Sequence, residues 1–336
     1  MSALTTPTTY PDYPWLASSW QTWLQLQSRL GHAYLLTGPA GIGVDVLLTK
    51  MAHSLLCQAT PQQQKPCGQC PACQQLAQNY YPDLMRLQPL EGKKDLTIDQ
   101  VRGLQHWLNQ TAHQAGRKVV VIEQLERLNL AAFNALLKSL EEPPEQCVFL
   151  LSTHQAGRLP ATIRSRCQLL KVTAPSFADA KTWLAAQQSL PPAALERALL
   201  NNWHAPLAAL DWINQGFLEL DTQWQADLAG LMARQKTVTN VVQSWLKWDN
   251  NFSILQAFQV QVQQALWASL EHQGPQQAWL DLAQQVLWAE KDLRSNANKT
   301  LLYENLIMAY LIACQQPTRP LSRIDFAPVP AQGFGL

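Results

Sequence analysis

A short apolar run, Ala33 to Leu36, leads into Gly38-Pro39-Ala40-Gly41-Ile42-Gly43, and an apolar helix pattern over 44–56 follows. A strand that turns through glycines into a helix exposes backbone N–H groups and a helix N-terminus, a geometry suited to cradling an anion. It commits the first part of the chain to an α/β layer fold. Lys118 to Ile122 reads as a buried strand of β-branched residues, and Val148 to Leu151 and Leu169 to Val172 as two more. Residues 15–30 are helix-like. Thr97 and Gln100 have the spacing of a capping box. Asn129 caps a helix to about Leu140, with Phe133, Leu136, Leu137 and Leu140 on one face, and Pro143 and Pro144 stop it. Strand, crossover helix and strand around a glycine loop imply a mainly parallel sheet.

The glycine loop keeps its shape and lacks its chemistry. A phosphate loop of the form G-x-x-x-x-G-K-[ST] needs a Lys for the β- and γ-phosphates and a hydroxyl for Mg²⁺. Here Gly38, Gly41 and Gly43 are followed by Val44 and Asp45. Val44 carries no charge, and Asp45 turns a negative group toward a negative ligand. The strand ending at Ile122 should present an Asp for Mg²⁺, yet it is followed by Glu123 and Gln124. The longer Glu123 side chain displaces the carboxylate and reads as an ordinary solvent-facing acid, while the Gln124 amide cannot act as a base. Two independent elements fail together, so no tightly bound ATP is expected.

Cys67-Gly68-Gln69-Cys70-Pro71-Ala72-Cys73 holds two C-x₂-C steps, which let thiolates converge on one tetrahedral ion. Cys57, at the end of the helix after the glycine loop, is the best fourth ligand, and 62–66 form an irregular lead-in. A closed four-sulfur site is structural, with zinc ahead of an iron–sulfur cluster or ordinary buried or redox cysteines. Cys147, Cys167 and Cys314 read as small, buried residues. Seven scattered and clustered cysteines, an odd number, do not form a secreted disulfide framework. The start of the chain lacks the pattern of a signal peptide, and no run of about 18 apolar residues could span a membrane. A cytoplasmic location is therefore expected.

Arg166, between Ser165 and Cys167, has two readings. It could reach the γ-phosphate bound to a neighbouring chain, as arginine fingers do, or it could make a local ion pair; Arg158 and Arg164 are rivals. The net charge of +1 is too weak to predict strong sequence-independent nucleic-acid binding by the whole chain, so any DNA contact is expected to be local or shared with partner chains. Beyond Pro175, Ala, Leu, Gln and Trp dominate and helical periodicity is nearly continuous. The chain divides into 1–173 with the cysteine module at 57–73, a small helical unit at 174–210, and a helical bundle at 211–336 whose tail beyond 317 is Pro-rich. Trp212, Trp224, Trp245, Trp248, Trp267 and Trp288 read mainly as core, some as anchors between chains.

Taken together, Tyr13-Pro14-Trp15-Leu16, His32-Ala33, GPAGIGVD at 38–45, CGQCPAC at 67–73, Tyr81-Pro82-Asp83, FNALLKSLEEPP at 133–144, Leu150 to Thr153 and SRC at 165–167 resemble the delta-prime subunits of bacterial DNA polymerase III clamp loaders. That resemblance covers most of 13–172. It implies a RecA-like AAA+ domain with a parallel sheet, a small helical lid and a C-terminal helical collar. It also implies a place in a five-subunit ring that loads a sliding clamp on primed DNA. The partners would be gamma/tau motor subunits, a delta subunit, the clamp, and primer-template DNA through the assembly. The resemblance makes Arg166 the finger toward ATP on the adjacent motor subunit and Cys57, Cys67, Cys70 and Cys73 the zinc ligands. Ser152 and Thr153 fall at a nucleotide-sensing position. No intrinsic ATPase or polymerase site is implied, so the DNA-directed DNA polymerase activity belongs to the assembly. Asn201 to Leu210 departs from the family at the lid turn, where related subunits often carry a glycine. Two other functions remain to be separated: a stand-alone P-loop ATPase, which would need another cation for the missing Lys, and a zinc-dependent DNA-binding protein, disfavoured because only Lys65 lies beside the cluster.

Overall fold

The computed structural model describes residues 10, 13–60, 66–90, 93, 95–114, 116–248, 253–271, 277–294 and 297–315, with side chains 270, 271 and 294 left aside. Residues 62–65 of the lead-in and the tail beyond 317 lie outside these residues. Contacts group the chain into two compact units, one of Met1–Ser189 with His204–Ala209 and one of Leu190–Trp203 with Leu210–Leu336.

The first unit is built on five parallel strands: β1 (Ala33–Thr37), β2 (Leu84–Leu87), β3 (Lys118–Ile122), β4 (Cys147–Thr153) and β5 (Gln168–Lys171), in the order β2-β3-β4-β1-β5. In register, Ala33 lies opposite Phe149 and Thr37 opposite Thr153. Its helices are α1 (Ala17–Leu26), α2 (Val44–Leu56), α3 (Pro71–Ala77), α4 (Ile98–Leu108), α5 (Leu130–Glu141), α6 (Ala161–Arg164) and α7 (Phe177–Gln187). Successive strand residues feed opposite layers. Tyr34, Leu36, Val119 and Val121 pack in a cluster with Leu47, Leu48 and Met51 of α2, while Leu35, Val120 and Ile122 pack with Leu104 of α4 and Leu136 of α5. A sheet buried on both faces explains why its central strands read as continuous apolar runs.

Both expected caps form. The Asn129 side chain accepts from Ala132 N–H at 2.8 Å, and Gln100 Oε1 accepts from Thr97 N–H at 3.1 Å. Strand β2 was not expected, because Leu-Met-Arg-Leu is short and carries a charge mid-run. The charge is accommodated by a partner across the sheet, described below.

The second unit is helical among its described residues: α8 (Pro192–Asn201), the later turns of α9 (Pro206–Asn214), α10 (Phe217–Met232), α11 (Val238–Trp245), α12 (Ile254–Glu271), α13 (Gln277–Arg294) and α14 (Lys299–Gln315). Trp224, Trp245 and Phe258 are buried at its centre. Two buried carboxylates pin the helices. Arg197 donates to both oxygens of Asp221, at 2.7 and 3.0 Å, and Asp227 accepts from Lys236 Nζ at 2.6 Å and Trp245 Nε1 at 2.8 Å. Of the tryptophans expected in the core, Trp212 and Trp248 are partly buried, whereas Trp267 and Trp288 are exposed.

Candidate functional site

The glycine loop joins the end of β1 to the first turn of α2. Gly41 and Gly43 take φ of 75° and 89°, the left-handed region that the tight turn demands. The loop is covered within its own unit. Trp15 Nε1 donates to Ile42 O at 2.7 Å and Leu207 N–H to Gly41 O at 3.0 Å.

Asp45 is not left facing solvent for a ligand. Its Oδ1 accepts from the Ser152 hydroxyl at 2.8 Å, and the Ser152 oxygen in turn accepts from Gln124 N–H at 3.2 Å. His154 donates from Nδ1 to Gly38 O at 3.0 Å, which places Nε2 3.6 Å from Asp45 Oδ2. Burial pushes the Asp45 carboxyl up, but hydrogen bonds from His154 and Ser152 outweigh it and hold the group below its usual range. The Asp45 hydrogen bond raises His154.

Glu123 corrects the expectation of a solvent-facing acid. Its side chain is 21% exposed and lies 3.4 Å from Arg86 Nη1. Arg86 also donates to Thr49 Oγ1 at 3.1 Å, and its Nη2 faces His53 Nε2 at 3.3 Å. An arginine can only donate, so it fixes the proton of neutral His53 on Nδ1, toward the Tyr10 hydroxyl. Burial and the adjacent Arg86 charge push His53 down to about 3. Burial raises the Glu123 carboxyl, with Asp45 adding to the rise and Arg86 opposing it. The carboxylate at the end of β3 is thus already provided with a protein cation.

The four cysteines converge as expected. Cys57 caps the C-terminus of α2, Gly68 turns with φ of 73°, Cys70 caps the N-terminus of α3 ahead of Pro71, and Cys73 lies in the first turn of α3. All four Sγ atoms lie within 4.8 Å of one another, with Cys57–Cys70 at 3.9 Å and Cys67–Cys73 at 4.0 Å. Four sulfurs about 2.3 Å from one tetrahedral ion stand about 3.8 Å apart, so the donor set fits a metal of that size. Main-chain N–H groups point at the sulfurs: Ala59 and Cys67 toward Cys57, Cys70 toward Cys67, and Cys73 toward Cys70, at 3.4–3.5 Å. Such bonds favour thiolate. Cys67 is lowered to about 6, chiefly by the Gln69 main chain, whereas burial raises Cys57.

Arg166 lies two residues beyond α6 and, apart from these groups, makes a local ion pair: Nη2 is 2.6 Å from Glu141 Oε1. Nη1 donates to Thr162 O at 2.9 Å. Arg158 and Arg164 are exposed on the same segment. Arg86, His53 and His154 were not singled out from the sequence, since the contacts that define them span 33 to 116 residues. Only their chemical type, cationic or titratable residues at strand ends and inside an apolar helix, marked them.

Residues 16–176 match the family model described as DNA polymerase III, delta subunit. The chain is 42% identical to DNA polymerase III subunit delta' of Pseudomonas aeruginosa over 234 residues, 69% of this chain and 71% of that protein. It is 39% identical to subunit delta' of Haemophilus influenzae over 209 residues, 62% of this chain and 63% of that protein. Against subunit delta' of Escherichia coli the identity is 40% over 200 residues, 60% of this chain and 58% of that protein. The chain thus spans about three fifths to seven tenths of the length of these relatives.

Proposed function

This chain belongs to the DNA polymerase III delta-prime family, and from that premise we propose that it is a non-hydrolysing subunit of a clamp loader. It takes no part in ATP turnover through a site of its own, and serves the ATP bound to a neighbouring gamma/tau-type subunit, with Arg166 as the finger. A delta subunit, the sliding clamp and primer-template DNA are the remaining partners through the assembly. In this reading the metal of Cys57, Cys67, Cys70 and Cys73 is a structural zinc, which orders a segment with little apolar material. The division into an AAA+ domain at 1–173, a lid at 174–210 and a collar at 211–336 is part of the same proposal, as is a cytoplasmic location. No helix among the described residues is long and apolar enough to cross a membrane.

One observation carries the reading: the Asp45 carboxylate, bonded to Ser152 and facing His154, stands at the helix start where a nucleotide phosphate would bind. A triphosphate there would meet a half-buried like charge and no lysine. A stand-alone ATPase, the second reading, predicts micromolar affinity for Mg·ATP in the isolated chain. Submicromolar binding of duplex DNA by the monomer would favour the third.

The deciding experiment reconstitutes the motor subunits with and without this chain, and with Arg166→Ala. The variant should fold and keep its metal, yet lower clamp- and DNA-stimulated ATP turnover by a factor on the order of 10³, the lower range for arginine fingers. Unchanged turnover at saturating ATP would refute the finger.

A further inference from the structure

Arg166 lies where the C-terminal ends of two helices converge. Glu141 is the last residue of α5, followed by Glu142 and the Pro143-Pro144 stop. Thr162 belongs to the four-residue α6, whose last carbonyls have no partner further along a helix. The guanidinium answers both ends: Nη2 to Glu141 Oε1 at 2.6 Å, Nη1 to Thr162 O at 2.9 Å, with Ser165 Oγ 3.4 Å from Nη1. A carboxylate at a helix C-terminus is opposed by the helix dipole, and α5 has only Lys138 as a basic residue in its last turn. Arg166 supplies the missing positive charge at that end.

The donor inventory shows what this arrangement leaves over. A guanidinium has five N–H groups. Two of Nη1 and one of Nη2 are directed at Thr162, Ser165 and Glu141. Nε–H and the second N–H of Nη2 carry no bond to a described residue, and the side chain is 33% exposed. Two N–H groups are the number needed for a bidentate bond to a phosphoryl oxygen pair.

We propose that Glu141 is the positioning residue of Arg166: it holds the guanidinium on one side so that the free side is presented, with few conformations to lose, to the phosphate of a neighbouring chain. This rests on the finger reading of Arg166 and adds to it a residue from a different helix. Holding a long side chain in place before its ligand arrives removes part of the entropy lost on binding. The pair is partly exposed, 33% and 47%, so its contribution is that of a surface ion pair, a modest factor in rate.

The test uses the full chain alone and in the reconstituted assembly. In the free chain, the Nη2 ¹⁵N–H resonance of Arg166 that faces Glu141, identified by its loss in Arg166→Lys, should exchange slowly with water. It should do so in Glu141→Asp also, and fast in Glu141→Gln. In the assembly, Glu141→Gln should lower kcat for ATP about two- to fivefold with little change in KM. Glu141→Asp should recover most of that loss, and Glu141→Gln should have no further effect on Arg166→Ala. Turnover that rises or stays level in Glu141→Gln overturns the positioning role while leaving the finger intact, provided Arg166→Ala is still slow. Full activity of Arg166→Ala sinks both. A Glu141→Gln loss that multiplies with that of Arg166→Ala assigns Glu141 an independent effect and also overturns the proposal.

Discussion

Ser152, on β4, donates its hydroxyl hydrogen bond to the Asp45 carboxylate on α2 across 2.8 Å, joining residues 107 apart in sequence. The acid sits in the first turn of its helix, where the dipole favours negative charge. The protein therefore supplies internally the anion that a phosphate loop otherwise draws from its ligand. Arg86 completes the arrangement by pairing with Glu123, just past the end of the neighbouring strand β3. The loop is thus tied to its own unit at two points, through Asp45 to Ser152 and through Gly41 O to Leu207 N–H.

The Asp45–His154 pair predicts a pH dependence of stability. Asp45 is depressed, so its contribution is present above its unfolded value near 3.9 and lost as pH falls through the folded one. His154 is raised, so its contribution is complete below its unfolded value near 6.5 and lost as pH rises through the folded one. Between roughly pH 4 and 6.5 both are present. The urea midpoint of the wild type should fall between pH 6 and 8, and His154→Gln should fall less. Equal slopes would show that the pair is not coupled in solution.

Cys70 both caps α3 and contributes a sulfur to the cluster. Cys70→Ser should therefore lose bound zinc and speed amide exchange in α3, while β3 and β4, buried on both faces, keep their protection. A small zinc site contributes on the order of 10–16 kcal/mol of apparent binding energy, enough to order a short segment. Chelation of the wild type should give the same exchange pattern. Full zinc in the mutant, or loss of protection across the sheet, would contradict a local role.

The elements that the sequence disclosed are those whose determinants are local. Asn129 with Ala132, Thr97 with Gln100, and the two C-x₂-C steps act within a few residues, so spacing alone places them. The β-branched run 118–122 declares itself because both faces are buried. Strand β2 did not, since Arg86 interrupts it and is accommodated by Glu123, Thr49 and His53, which lie 33 to 37 residues away. Glu123 was misread for the same reason: its environment is set by a side chain on another strand. The cysteine cluster was legible down to Cys57, but the Glu141 contact of Arg166 depends on how α5 and α6 meet, which no local pattern encodes.

Lys118 offers a test of a long-range cap. Its ammonium group donates to the main-chain oxygens of Trp107, Leu108 and Gln110 at the end of α4, and lies 4.6 Å from the centre of the Trp107 ring. Trp107 O also accepts from Gln110 N–H at 3.2 Å, while the Leu108 and Gln110 oxygens lie at and past the end of the helix. Lys118→Met keeps much of the apolar stem and removes the donors, so it should cost about 1–3 kcal/mol in urea unfolding. An unchanged midpoint would mean that water serves the carbonyls equally well.

Gly41 provides the sharpest test that the loop is closed by the protein itself. Its φ of 75° is strained for any residue with a side chain, and a Cβ there would stand 2.6 Å from Ala208 Cβ and 3.1 Å from Ala208 N. The left-handed backbone alone costs about 1–2 kcal/mol. Gly41→Ala should therefore lose more than that, because the neighbouring methyl and main chain have to shift as well. Gly43→Ala, whose Cβ would meet mainly the Tyr13 ring and the Leu16 side chain, should lose less. The contact part is separable from the φ part by a double-mutant cycle. Ala208→Gly, measured alone and with Gly41→Ala, should recover part of the loss and leave the φ cost behind. If Ala208→Gly brings no recovery, segment 204–209 does not press on the loop in solution, and the loop would have to be regarded as open to ligands on that side.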